Sequence, residues 1–203
     1  MADEQNRDIY TPPDAELGAE AGLGQEEYFS VSIRKLIVMY AITLGGYSLV
    51  YFYQNWKLQK LRHGLNVIPV LRAIFAIFFT HSLFSRIRAS AEERNIEGTS
   101  GFSGLATLYV VCTLLSSINV NLGPTSQLVY LMLNLAGIVL PLVALYPLVV
   151  VQRVVQQINH DEAGELNSQF TVYNWIFILL GAFMWVSILL GIYMLMFGEL
   201  PVQ

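Results

Sequence analysis

The sequence predicts an all-α fold, a polytopic membrane helix bundle, and three observations carry that expectation. Of the 203 residues, 55% are hydrophobic and 13% charged, against roughly 45–50% and about 25% in soluble domains. The charges are bunched, which leaves several nearly uncharged windows of about 20 residues, the helix length that crosses a bilayer core. The apolar runs are continuous, which excludes a barrel of alternating segments of roughly 10 residues. The pattern gives four transmembrane helices, plus one that is interfacial or re-entrant or else a fifth span. A disordered acidic tail over 1–29 precedes a single transmembrane helical domain over 30–203. Helices are expected near 33–61, 66–87, 105–121, 126–159 and 171–197.

The tail follows from its composition. Eight of the fifteen acidic residues fall in the first 27 positions, among Gly and Pro and few large aliphatics. Such a stretch buries too little surface to offset the entropy of ordering it. It lacks the charged-then-apolar layout of a cleaved signal peptide. The formal charge of −4 therefore describes this tail and no nucleic-acid or substrate surface.

Leu36–Trp56 is the first expected span. Ala41 and Gly45 make a small-xxx-small pair that permits close helix approach. Tyr47, Tyr51, Phe52, Tyr53 and Trp56 form an aromatic boundary before Lys57, and Gly64 is a helix stop. Asn66–Ile87 is the ambiguous element. It is apolar, with Pro69 suited to a first helical turn, yet it carries Arg72 and His81. Lys57, Lys60 and Arg62 precede it, Arg86 and Arg88 close it, and no acid occurs between Glu27 and Glu92. Leu105–Asn121 is a further span with a polar far end, and Leu122–Thr125 a tight turn. Leu128–Val151 contains Asn134, Pro141 and Pro147, which predict a kink. Val172–Phe197 is the last span, with Ser187 and Gly191 as a second small pair.

The uncharged turn around Asn119–Gln127 should face away from the cytoplasm by the positive-inside rule. Two layouts then remain. If Asn66–Ile87 spans, seven basic residues lie inside; if it stays at the inner interface, eight do. The count favours the four-span layout. Arg72 does not decide it, because an Arg near a helix end can snorkel.

The basic set Lys57, Lys60, Arg62, Arg72, Arg86 and Arg88 is the lipid- or partner-binding candidate, since juxtamembrane cations attract anionic headgroups at about 1 kcal/mol each. Ordinary positive-inside topology accounts for the same charges, except for an Arg one turn inside an apolar segment. His81, Asn119, Asn121 and Asn134 are the intramembrane polar candidates; interhelical hydrogen bonding is the plainer account of them. His160, Asp161, Glu162 and Glu165 have metal-ligand chemistry but no second cluster, so a solvated loop fits them better. No metal and no cofactor are expected, and no catalytic residue. Cys112, the lone cysteine, lies within an apolar run as a small hydrophobe. No nucleophile–base pair, phosphate loop or zinc motif occurs, and no acid lies within a span, as most ion-coupled pumps require.

Tyr51-Phe-Tyr-Gln-Asn-Trp56, followed by Pro69, Arg72, Phe75, Phe78-Phe79 and Ser82-Leu-Phe84, resembles a group of small uncharacterised bacterial inner-membrane proteins. They share an aromatic-rich first span and a Pro-x-x-Arg-Ala-x-Phe segment. The likeness covers about Ile33–Ile87. It implies the bacterial cytoplasmic membrane and carries over no catalytic residue. The expected function is a non-enzymatic scaffold, accessory subunit or lipid-interacting module. The expected partners are membrane lipids with anionic headgroups, and a membrane-protein partner or a second copy. The alternative is a small transporter or channel with a polar path between helices.

Overall fold

The structure, a computed structural model, describes residues 26–118 and 127–197. All regular structure among them is helical: α1 Ile33–Ile42, α2 Tyr47–His63, α3 Pro69–Ile74, α4 Ala76–Glu93, α5 Phe102–Ile118, α6 Gln127–Ile158 and α7 Val172–Phe197. The expected all-α class holds. The expected four spans do not.

Among the described residues two stretches are long and apolar enough to cross a membrane, Met132–Ile158 in α6 and Val172–Met194 in α7. Helix α5 has 17 described residues. The run Leu36–Trp56, expected as one span, is two helices folded back on each other. Thr43 breaks it: its hydroxyl donates to the Met39 carbonyl at 2.7 Å and accepts the Tyr47 amide at 2.9 Å. The Met39 carbonyl keeps its ladder bond from the Thr43 amide, whereas the Tyr47 amide is diverted from the ladder to a side chain. Leu44 and Gly45 then take positive φ values, 45° and 91°, which reverses the chain.

Hydrogen bonds at the far ends prove the reversal. Asn55 Oδ1 accepts the Phe29 amide at 3.1 Å, and Gln59 Nε2 donates to the Glu27 carbonyl at 3.1 Å. The chain before α1 and the second half of α2 thus lie side by side. A ten-residue helix such as α1 rises only about 15 Å, half a bilayer core. The predicted close approach through Ala41 and Gly45 is replaced by another. Gly181 of α7 packs on the hairpin tip, where a Cβ would lie 2.9 Å from the Ile42 carbonyl carbon. Trp185 Nε1 donates to the Ala41 carbonyl beside it at 3.2 Å. Gly191, half of the second expected pair, has open space around it.

The ambiguous segment 66–87 is also two helices. Pro69 begins α3, as its missing N–H allows. Phe75 leaves helical geometry (φ −97°, ψ 37°), and α4 then runs to Glu93. Helices α4 and α5 are antiparallel: the Phe84 and Phe102 rings stand 6.2 Å apart, and His81 meets Thr107 at 3.1 Å. The core joins Leu36, Met39, Tyr51, Phe52 and Trp56 of the hairpin to Leu83, Phe84 and Ile87 of α4 and to Ala144, Leu148, Val151 and Val155 of α6. Pro141 and Pro147 lie inside an unbroken α6. One face of it turns outward before the strap end, with Met132, Val139 and Tyr146 exposed.

Candidate functional site

Residues 26–32, ahead of α1, form a strap laid between α2, α4 and α6. Composition places the first four of them in the tail, yet Glu27 and Tyr28 are 7% and 1% exposed. An extended strap has no internal ladder, so its buried polar backbone groups need partners elsewhere. Side-chain amides supply them. Asn159 Oδ1 accepts the amides of Glu27 (2.9 Å) and Tyr28 (3.3 Å), while its Nδ2 donates to the Tyr28 carbonyl at 2.6 Å. Gln152 Nε2 donates to the carbonyls of Phe29 and Val31, and Gln156 Nε2 to that of Val31. Sequence reasoning missed this amide set. Its signal was Gln152, Gln156 and Asn159 at 3–4 residue spacing on one face of an otherwise apolar helix, matched by Asn55 and Gln59 on α2.

Ion pairing closes the strap. Glu27 accepts from Ser90 Oγ and pairs with Arg94 Nη2. Since the Ser90 hydroxyl donates to Glu27, the Tyr28 hydroxyl donates to Ser90, at 2.9 Å. Burial pushes the Tyr28 phenol up to about 12. Lys35, 3% exposed, gives its ammonium to Asn167 Oδ1 (2.6 Å) and the Gln169 carbonyl (2.7 Å). Burial holds its pKa below the usual lysine value. These contacts bring the start of α1, the end of α6 and the α6–α7 loop to one end of the molecule. In that loop Asp161 Oδ1 accepts the Glu165 and Leu166 amides, so it organises a turn.

The basic candidates divide. Arg72 is half-buried, its guanidinium 4.1 Å from the Trp56 ring centre and 4.8 Å from that of Phe79. Burial and the neighbouring Arg86 lower its pKa. It is a structural cation seated in the corner of two aromatic rings set edge-to-face, which is how an Arg sits one turn inside an apolar segment. Lys60 and Arg62 are exposed at the end of α2, with Lys57 half-buried one turn earlier and Arg86 half-buried on α4. Arg88 is exposed and pairs through Nε with Glu92 at 2.7 Å.

Of the intramembrane polar candidates, His81 and Asn134 lie within the described residues. His81 bonds Thr107 rather than another candidate. Asn134 is half-buried on α6, and Asn119 and Asn121 fall outside the described residues. What the structure does bring together is one member of each predicted set. His81 and Arg88 share a cleft of about 310 Å³ between α4 and the start of α5, with Ser85, Ser103, Phe84 and Phe102. Among the described residues no three His, Cys, Asp or Glu side chains converge as metal ligands do.

Comparison of the chain with protein-family models, with curated proteins and with solved structures returns no match.

Proposed function

We propose that this chain is a multi-pass protein of the bacterial cytoplasmic membrane that acts without catalysis, as a lipid-interacting scaffold or accessory subunit. The observation that carries the reading is the surface of α7. Its Val172–Met194 stretch has a mean hydropathy of 2.4, yet only 6% of its most apolar window is buried. A soluble protein's core helix of that composition would be covered on most sides. Phe183, Val186, Leu189 and Tyr193 instead stand more than half exposed, as lipid-facing residues do.

In this reading α6 and α7 span, and the α1–α2 hairpin dips into the bilayer from the strap end and returns. Arg34, Lys57, Lys60, Arg62, Arg86, Arg94 and Arg153 belong to segments that meet at that end. The positive-inside rule then puts it in the cytoplasm. A bound lipid or neighbouring membrane protein would account for surface that the chain leaves uncovered. The transporter reading has less behind it, since Arg72 is engaged by aromatic rings and His81 by Thr107.

The test is alkaline carbonate extraction of membranes from cells expressing the full chain, followed by mild-detergent purification. Retention in the membrane pellet, then co-purifying lipid or protein, is the expected result. Release into the carbonate supernatant ends the membrane reading, and a lipid-free lone monomer ends the scaffold reading.

A further inference from the structure

We infer that the cleft between α4 and α5 is a binding site for the phosphate of an anionic glycerophospholipid, with the acyl chains laid along the apolar surface that continues from it. The inference rests on the membrane reading above and adds a ligand class and a location to it.

The polar end of the cleft offers mainly donors. Glu92 occupies only Nε of Arg88, which leaves both terminal amino groups without an acceptor among the described residues. A guanidinium presenting two parallel N–H groups matches a phosphate in a bidentate manner. The Thr107 hydroxyl donates to the Ser103 carbonyl at 3.1 Å. Its oxygen therefore accepts from His81 Nε2–H, which fixes the ring; Nδ1 donates to an anion only when the ring is the imidazolium. Ser85 and Ser103 add hydroxyls. Ser103 lies in the first turn of α5, where amide groups lack helical acceptors and the helix dipole favours an anion. The volume is at the lower end of the range for small-ligand sites, about 300–1,000 Å³.

The apolar end is what singles out a lipid. Along the exposed face of α3 and α4, Leu71, Ile74, Phe75 and Phe78 are 46%, 59%, 49% and 72% exposed. The same face then becomes His81, Ser82, Ser85 and Arg88, all exposed. Because α4 and α5 are antiparallel, the partner surface on α5 lies after Thr107, and there Val111 and Leu114 are each 44% exposed. One continuous strip thus runs from cationic to hydrocarbon, the polarity of a phospholipid. A soluble phosphate compound would use the first part and leave the second in water.

The experiment is native mass spectrometry of detergent-purified protein titrated with phosphatidylglycerol, phosphatidylcholine and inorganic phosphate. Phosphatidylglycerol should bind, with phosphatidylcholine and inorganic phosphate much weaker. Arg88→Gln should weaken it about tenfold, as for one lost charge-assisted hydrogen bond. Arg153→Gln, a charge change at an exposed position outside the cleft, should leave it unchanged. His81→Gln gives a second reading should Arg88→Gln fail to fold. Equal retention by both cleft variants overturns the site while carbonate-resistant protein keeps the membrane reading intact. Inorganic phosphate competing at matched concentration overturns the lipid as its source. Carbonate-extractable wild type overturns the membrane reading itself.

Discussion

The Arg72 guanidinium lies 4.1 Å from the centre of the Trp56 ring, joining α3 to the returning arm of the α1–α2 hairpin. Phe79, set edge-to-face against Trp56, lies 4.8 Å from the same guanidinium, so the cation is matched by two adjoining aromatic rings rather than by a carboxylate. Such contacts contribute about 0.5–2 kcal/mol, more as water is excluded. Arg72→Ala should lower the unfolding temperature in detergent micelles, while Arg72→Lys should fall between it and wild type. Indistinguishable melting of all three would remove Arg72 from the structural account.

The hairpin makes a topological prediction that every single-span reading of Leu36–Trp56 denies. In a Cys112→Ala background, Arg34→Cys, Lys60→Cys and Glu162→Cys should all react with an impermeant maleimide from the same side of sealed vesicles. All three positions are exposed at the strap end. Labelling of position 34 from the side opposite to position 60 would mean that the chain crosses between them.

Gly181 should resist substitution where Gly191 does not. A methyl at 181 would press on the Ile42 carbonyl, whereas one at 191 meets nothing within 4 Å. Overpacking against backbone costs about 1–3 kcal/mol. Gly181→Ala should therefore destabilise and change the fluorescence of Trp185, whose indole bonds Ala41 next to the contact. Gly191→Ala is the neutral control.

Asn159 holds four groups of the strap, the amides of Glu27 and Tyr28, the Tyr28 carbonyl and the Ser30 hydroxyl. Asn159→Leu leaves the first three without that partner, at about 1–3 kcal/mol for each group left unsatisfied and buried. Hydrogen exchange at residues 27–31 should accelerate well before the helices melt. Unchanged protection would show that the strap is held by its apolar contacts alone.

Alkali should loosen the same strap. The folded Tyr28 phenol titrates near 12, and the unfolded one near 10. The folded state binds the extra proton between those values, so stability is full below pH 10 and falls as pH rises toward 12. The depressed Lys35 pKa acts oppositely in the window just below 10.5, where the unfolded chain holds the proton longer. Tyr28→Phe should flatten the fall between pH 10 and 12; an unaltered slope would assign it to other groups.

Several features were legible in the residues themselves. Helix, rather than strand, follows from continuous apolar runs, and the end of α2 from Gly64, which takes φ 60° there. Pro69 announces the start of α3. His81 and Arg88 were visible as polar groups on an apolar helix, although they were assigned to different roles. Leu36–Trp56 misled because hydropathy counts apolar residues and cannot see direction. Straight or folded back, the run has the same composition, and the bend depends on one threonine hydroxyl and two left-handed residues.

The sequence by itself determined what each segment is made of: helical periodicity, apolar content and the clustering of cations before and after residues 66–87. Those are local properties, set by side-chain type and spacing. Only the tertiary structure decided which segments stop short. It also decided that Arg72 faces aromatic rings, that amides of α2 and α6 clasp residues 27–32, and that His81 and Arg88 open onto one cleft. Each of these depends on residues far apart in the chain meeting at distances of a few ångströms. Spacing along one helix carries no record of the partner helix, so these arrangements existed only once the chain had packed.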